Sequence, residues 1–186
     1  INRGVIAMAV AGEVSQFDRI FNIQKLFDKD LVADGHWFPI EPQTRAAKRT
    51  VDQICTALAF DLETWRYLAR YVARSYNADD ELPCSLAVLS SFYRLALLAS
   101  FWRISAVELA ALLETLSERG ASEVLQRILG ETRLLVSGTS GVGDVLSVMH
   151  AAQTCVQWLK DNDLSVPWLV AQVKEIVTPP MATDQE

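Results

Sequence analysis

The sequence predicts an all-α protein: a multi-helix, orthogonal or bundle-like domain of about seven or eight helices. Apolar residues recur every three or four positions along almost the whole chain, with polar residues between them. Glycine and proline cluster in a few short segments that separate these runs. The alternation typical of a β-strand has one candidate, the short stretch RLLVSG at 133–138.

The first two strong helices are predicted over residues 43–60 and 62–76, because each carries one continuous apolar face. The apolar face of the first consists of Ala47, Val51, Ile54, Cys55 and Leu58. That of the second consists of Trp65, Leu68, Ala69 and Val72. Three arginines, Arg66, Arg70 and Arg74, recur at every fourth position on another side of the second helix. We call them the arginine stripe, and such a stripe is typical of a solvated helix face.

The most apolar run, Leu86 to Trp102, contains Arg94 and three serines. A membrane span needs about 20 largely uncharged residues, so we expect a buried central helix that makes no membrane contact. Two further amphipathic helices are predicted over 105–118 and 142–161. Their inward residues are predicted to be Leu109, Leu112, Leu113 and Leu116, and then Val145, Met149, Ala152, Val156 and Leu159.

Segments 34–43, 77–83 and 137–143 are predicted to break the helices, because glycine, proline or both occur in each. We expect one longer irregular connection around residues 28–42. The whole chain, 1–186, is predicted to be a single α-helical domain, with 137–143 as a candidate hinge between two lobes. It begins at Ile1 without a signal peptide, so it is expected to be a processed protein or a fragment of a longer chain.

One local pattern occurs three times and predicts stapled helix–corner–helix units. An apolar residue precedes an N-cap Asp or Ser, and a second apolar residue follows four positions into the helix. The three sets are Phe60, Asp61 and Trp65; Ile104, Ser105 and Leu109; and Leu164, Ser165 and Leu169. Glu108 completes a capping box with Ser105, and Pro167 falls in a first helical turn, where its missing N–H costs little.

Composition excludes several classes of protein. The net charge is −6, which argues against a general nucleic-acid-binding protein. The cysteines, Cys55, Cys84 and Cys155, are odd in number and widely spaced, so we expect reduced, buried thiols rather than disulfides or a zinc site.

Candidate catalytic groups are few. His150 and Cys155 lie five residues apart, about 140° around a helix, so a surface histidine and a core cysteine are favoured over a nucleophilic pair. His36, near Asp30 and Asp34, lacks two further metal ligands and is expected to be a solvated loop residue.

The remaining motifs also favour structural roles. SGTSGVG, at 137–143, lacks the Lys-Ser/Thr ending of a phosphate-binding loop and is expected to be a flexible connection. Four of the five tryptophans are expected to be core anchors rather than a pocket lining: Trp65, Trp102, Trp158 and Trp168. We therefore predict no catalytic, cofactor-binding or metal-binding residues, no cofactor and no enzymatic activity.

Three ordered stretches resemble one family, the A subunits (TcA type) of bacterial insecticidal toxin complexes. RIFNIQKLFDKDLVADGHWF (19–38) resembles its F-x-x-LF-x-x-P-x-LNG-x-x-F segment. LSSFYRLALLASFWRISAVELAALLETL (89–116) is similar to its L-x-x-LYR…LS-x-x-EL-x-x-LL helix pair, and VQWLKDNDLSVPWL (156–169) to its WL…LSV-x-x-L signature. In the first stretch, 28–30 and 32–35 depart from the family's Pro and Leu-Asn-Gly, and only Gly35 is retained.

The resemblance implies that the chain is a structural segment of the α-helical shell of such a subunit, with other segments of the same long chain as its neighbours. Full-length A subunits form a homopentamer that encloses an injection channel and translocates a toxin into host cells. The implied location is secreted or at the bacterial cell surface, with toxin B and C subunits as candidate partners through other regions. The alternative is a stand-alone helical adaptor that binds a partner protein through the arginine stripe.

Overall fold

The computed structural model describes residues 14–22, 27–116 and 145–177, with the side chains of 149–173 in the last range. These residues form seven helices and one two-stranded sheet, which confirms the predicted all-α class. In chain order the elements are α1 (Gln16–Phe21), β1 (Trp37–Pro39), α2 (Arg45–Leu58), α3 (Leu62–Ser75), β2 (Glu81–Pro83), α4 (Leu86–Trp102), α5 (Ala106–Leu116), α6 (Val145–Asp161) and α7 (Val166–Val177).

Residue contacts divide the chain into two compact units, 1–93 and 94–186. The candidate hinge at 137–143 and the candidate strand at 133–138 both lie outside the described residues. The single-domain organisation with that hinge stays a prediction.

In the first unit, the inward faces of α2 and α3 follow the predicted periodicity. Trp65, Leu68 and Val72 of α3 are completely buried, as is Ile54 of α2. Charged residues lie on the outward faces of both helices. Burial of the apolar stripes supplies the driving force for the packing of α2 and α3.

A short antiparallel sheet forms where the sequence predicts breaks. Phe38 of β1 lies opposite Leu82 of β2, and both side chains are buried, with 1% and 0% exposure. Each strand has only three residues, too few to show an alternating pattern. Pro39 and Pro83 limit further pairing, because proline has no N–H to donate.

In the second unit, α5 packs against both α6 and α7. Leu109, Leu112 and Leu113 are buried as predicted. Leu116 is 36% exposed, so its predicted inward position is wrong; it is the last residue of α5 and lies beyond the turns that form the buried face.

The contribution of α6 to this core follows the predicted stripe where its side chains are described. Ala152, Val156 and Leu159 are buried, and Met149 is half-buried. The side chain of Val145 lies outside the described residues.

No single helix in the described ranges is long and apolar enough to cross a membrane. The pair α4 and α5 meets that requirement only when the two are taken together, and they are bent by 93° at the break between them.

The three predicted corners share one backbone geometry. Each has a residue with positive φ immediately before the apolar residue: Ala59 (54°), Arg103 (55°) and Asp163 (52°). The amide of the next residue then bonds back five residues, as in a Schellman motif. The bonds are Phe60 N to Cys55 O (2.9 Å), Ile104 N to Ala99 O (3.1 Å) and Leu164 N to Leu159 O (2.8 Å).

The predicted N-caps are confirmed at all three corners. Asp61 accepts from the amide of Thr64 at 2.7 Å, and Ser165 from the amide of Trp168 at 3.3 Å. The capping box is complete: Ser105 Oγ accepts from the amide of Glu108 at 3.1 Å, and the Glu108 carboxylate accepts from the amide of Ser105 at 2.8 Å. At each corner a single apolar residue therefore separates the positive-φ residue that ends one helix from the N-cap of the next.

Candidate functional site

The connection between α1 and α2, residues 27–43, is the most extensively hydrogen-bonded loop among the described residues. Asn22 holds it at one point, because its side chain accepts from the amide of Leu31 at 2.8 Å and donates to the carbonyl of Leu31 at 3.1 Å. The buried side chain of Gln53 donates to Lys29 O at 2.7 Å. We call residues 27–43 the pinned loop; the sequence predicts only an irregular connection there.

The far side of the pinned loop bonds to the segment around β2. Gly35 N donates to Cys84 O at 2.9 Å, and Cys84 N donates to His36 O at 2.7 Å. Gly35 adopts a φ of 83°, a conformation that side-chain-bearing residues rarely take. A residue with a side chain would be strained at this position.

Trp65 anchors the end of the pinned loop in the core of the first unit. Its indole N–H donates to Ile40 O at 3.0 Å. Its ring packs on Phe38 and Phe92, with centroid distances of 6.1 and 5.1 Å. One buried side chain therefore joins the loop to α3 and to the first part of α4.

Two arginines of the stripe form ion pairs with this loop. Arg66 Nε lies 3.1 Å from one oxygen of Glu41, and Arg70 Nη2 lies 3.3 Å from the other. All three side chains are about half exposed, so the pairs contribute little to stability in water. Two of the three arginines of the stripe thus contact the chain's own loop.

His36 and Asp34 are adjacent in space, as their spacing suggested. The amide of His36 donates to Asp34 Oδ1 at 3.0 Å, and the imidazole Nδ1 contacts the same oxygen. These bonds lower the pKa of the Asp34 carboxyl, and the bond from the His36 amide has the largest effect. Both side chains are exposed, and the described residues contain no group of three His, Cys, Asp or Glu side chains able to hold a metal.

A cavity of about 350 Å³ lies between the pinned loop and the N-terminal half of α2. Of its polar lining, Gln53 donates to Lys29 O and the Thr50 hydroxyl donates to Ala46 O at 3.3 Å. Asp30, Asp34 and His36 also line it. Gln53 and Thr50 thus bond the chain's own backbone, and Asp34 and His36 bond each other, an arrangement that fixes this part of the loop.

The cysteines are free thiols, as predicted. Burial, with smaller contributions from nearby carboxylates, raises the pKa of Cys55 to about 12 and that of Cys84 to about 11. Burial also raises the pKa of Cys155, while His150 is exposed. A raised pKa leaves little thiolate near neutral pH, so these thiols are poor nucleophiles. Only Cys84 is buried; Cys55 and Cys155 are half-buried.

Two of the four tryptophans predicted to be core anchors occupy that position. Trp65 and Trp102 are buried, with 0% and 6% exposure, but Trp158 and Trp168 are 49% and 42% exposed. The prediction for the last two is wrong, because the inward stripe of α6 passes through Val156 and Leu159, and in the first turn of α7 Val166 rather than Trp168 is buried. The SGTSGVG segment lies outside the described residues.

These features describe packed helices whose direction is fixed locally by the capped corners and, in the first unit, by the pinned loop. Its long-range polar contacts were missed by sequence reasoning, since partners such as Trp65 and Ile40 lie 25 residues apart. Local spacing carries no information about such pairs.

Comparison with known proteins identifies a toxin subunit that is similar to this chain. No family model matches the sequence. The chain is 27% identical to the toxin subunit YenA1 of Yersinia entomophaga over 158 residues, which are 84% of this chain and 13% of that protein. This similarity confirms the predicted resemblance to TcA-type subunits and supports a role of that type. The chain spans a small part of the relative's length.

Proposed function

We propose that this chain is a structural segment of the α-helical shell of a TcA-type toxin subunit. The observation that carries the proposal is the similarity to a toxin subunit over 84% of this chain but only 13% of the relative. A structural segment within a long chain has to hold its successive helices at fixed angles to one another. Capped corners and a pinned loop are suited to that task, because they fix the angles between successive helices.

In this role the segment acts by packing and carries no catalytic residues, metal or cofactor. The described thiols have raised pKa values, and the His36–Asp34 pair is an exposed pair within one loop. Five copies of the complete subunit enclose a channel for protein translocation. Toxin B and C subunits bind through other regions, and the assembled toxin is secreted or held at the cell surface.

The test is the mass of the complete subunit. Expressed from its full reading frame and measured by mass photometry, it should give a species of five copies, with a five-fold ring in electron micrographs. A complete subunit that stays monomeric at micromolar concentration contradicts the pentameric shell.

The adaptor alternative requires the arginine stripe to face a partner, whereas two of its three arginines hold Glu41. Reversing Arg66 or Arg70 would also break a pair with Glu41, so Arg74→Glu is the cleaner variant. An adaptor should lose its partner in a pull-down with Arg74→Glu and retain it with Arg103→Glu, a charge reversal on another exposed arginine outside the stripe. The shell proposal expects no partner whose capture depends on Arg74.

A further inference from the structure

The part of α4 in the second unit exposes two large apolar side chains. Leu97 is 46% exposed and Phe101 is 73% exposed. Residues four apart in a helix lie on the same side, so the two form one surface. We call Leu97 and Phe101 the α4 patch.

The patch differs from the outward face of α2 and from most of that of α6, although α6 also exposes Trp158. On α2 the exposed residues include Lys48 and Asp52, and on α6 they include Gln153 and Gln157. In α4, by contrast, Arg94 is the one charged residue among the 17 of Leu86–Trp102. A mainly apolar helix that bears a single charge is typical of one that other elements cover over most of its surface.

We infer that the α4 patch is the docking site for an amphipathic helix from another part of the same long polypeptide, an inference that rests on the proposed shell function. Two apolar side chains at i and i+4 are the anchors that such a helix packs against. The occupant belongs to the same polypeptide because this chain corresponds to only 13% of its relative, so most of the proposed subunit lies outside it. The cover excludes water from Phe101, which is 73% exposed in the 186-residue chain.

Thiol labelling measures this cover directly. Phe101→Cys is placed in a Cys155→Ala background, since Cys155 is the native thiol of the same unit. Cys55 and Cys84 react slowly near neutral pH because of their raised pKa values of about 12 and about 11. Gln153→Cys, on the exposed face of α6, is the matched control. Leu97→Cys provides a second reporter if the first variant folds poorly by circular dichroism.

In the 186-residue chain, the thiol at position 101 should react with a maleimide dye as fast as the control thiol. In the complete subunit it should react at least about tenfold more slowly, while the control stays fast. The protection should persist when the pentamer is dissociated, because the cover belongs to the same polypeptide.

Three outcomes overturn the inference. One is equally fast labelling at positions 101 and 153 in the complete subunit. Another is slow labelling of position 101 in the 186-residue chain itself. The third is protection that appears only as concentration rises or only in the pentamer, which assigns the patch to a second copy. A complete subunit that forms pentamers yet labels rapidly at position 101 defeats this inference alone, whereas the absence of pentamers defeats the proposed function.

Discussion

Two residues in the first unit have a positive φ, which suits the residue type at one position and not at the other. Gly35 has a φ of 83° and is a glycine, whereas Ala59 has a φ of 54° and carries a Cβ. A left-handed conformation costs a non-glycine residue about 1–2 kcal/mol relative to glycine. Nothing lies within 4 Å of a Cβ built on Gly35, so any cost of a side chain there is a cost of backbone conformation.

We therefore expect opposite effects from exchanging the residue types. Gly35→Ala should lower the free energy of unfolding by about 1 kcal/mol, and Ala59→Gly should raise it by up to about 1 kcal/mol, less the greater entropy of glycine in the unfolded chain. Urea denaturation followed by circular dichroism measures both. Equal destabilisation by the two substitutions would show that the two φ values are not as described.

Trp65 provides the second prediction at this scale. Trp65→Phe keeps an aromatic ring but removes the donor to Ile40 O and leaves a cavity beside Phe92. The loss should be about 3 kcal/mol, because a buried carbonyl becomes unsatisfied and packing is lost. Trp168→Phe is the control and should cost much less, since Trp168 is 42% exposed. Similar losses at the two positions would contradict the anchoring role of Trp65.

At the scale of elements, the corner before α5 can be tested atom by atom. Ser105→Ala removes the acceptor for the Glu108 amide and should cost about 1 kcal/mol. Glu108→Gln should be nearly neutral, because glutamine can still accept from the Ser105 amide. If Ser105→Ala unfolds at the same urea concentration as the native chain, the capping box has no energetic role.

The contrast between corners and pinned loop shows which elements a sequence can specify by itself. At each corner the cap, the apolar residue and the back-bonded carbonyl lie within a few residues of one another, so a local pattern contains the whole motif. In the pinned loop, Gln53 reaches back 24 residues to Lys29, and Trp65 reaches back 25 to Ile40. Such pairings depend on tertiary packing, and glycine and proline in the loop indicate only a break.

The same limit applies to the surface. Helical periodicity identifies which residues of α2 and α3 are buried, because their two faces differ in polarity. In α4 most residues are apolar and one is charged, so the sequence does not say which apolar side chains remain exposed, and Phe101 is exposed in this chain. Likewise Trp158 is apolar by type but lies off the inward stripe of α6.

For the molecule as a whole, carboxylates should govern the response of stability to pH. Hydrogen bonds lower the pKa of three aspartates, with Ser15 the main cause at Asp18, the His36 amide at Asp34 and the Thr64 amide at Asp61. A lowered pKa contributes stability above the unfolded value of 3.8, and this contribution is lost as pH falls through the folded value.

We therefore expect urea stability to change little from pH 8 to pH 5 and to fall below about pH 4. Asp61→Asn keeps a capping side chain and should reduce the slope of the acid limb. A transition between pH 6 and pH 7 that disappears in His36→Gln or His150→Gln would contradict this expectation, because it would assign the response to histidine.

The central claim is that this chain is one segment of a far longer toxin subunit. The most direct measurement is the sequence of the genomic locus on both sides of the segment. We expect one uninterrupted reading frame that extends well beyond the 186 residues and continues to resemble the toxin subunit, of which the matched region is 13%. A frame confined to about these 186 residues would contradict the claim.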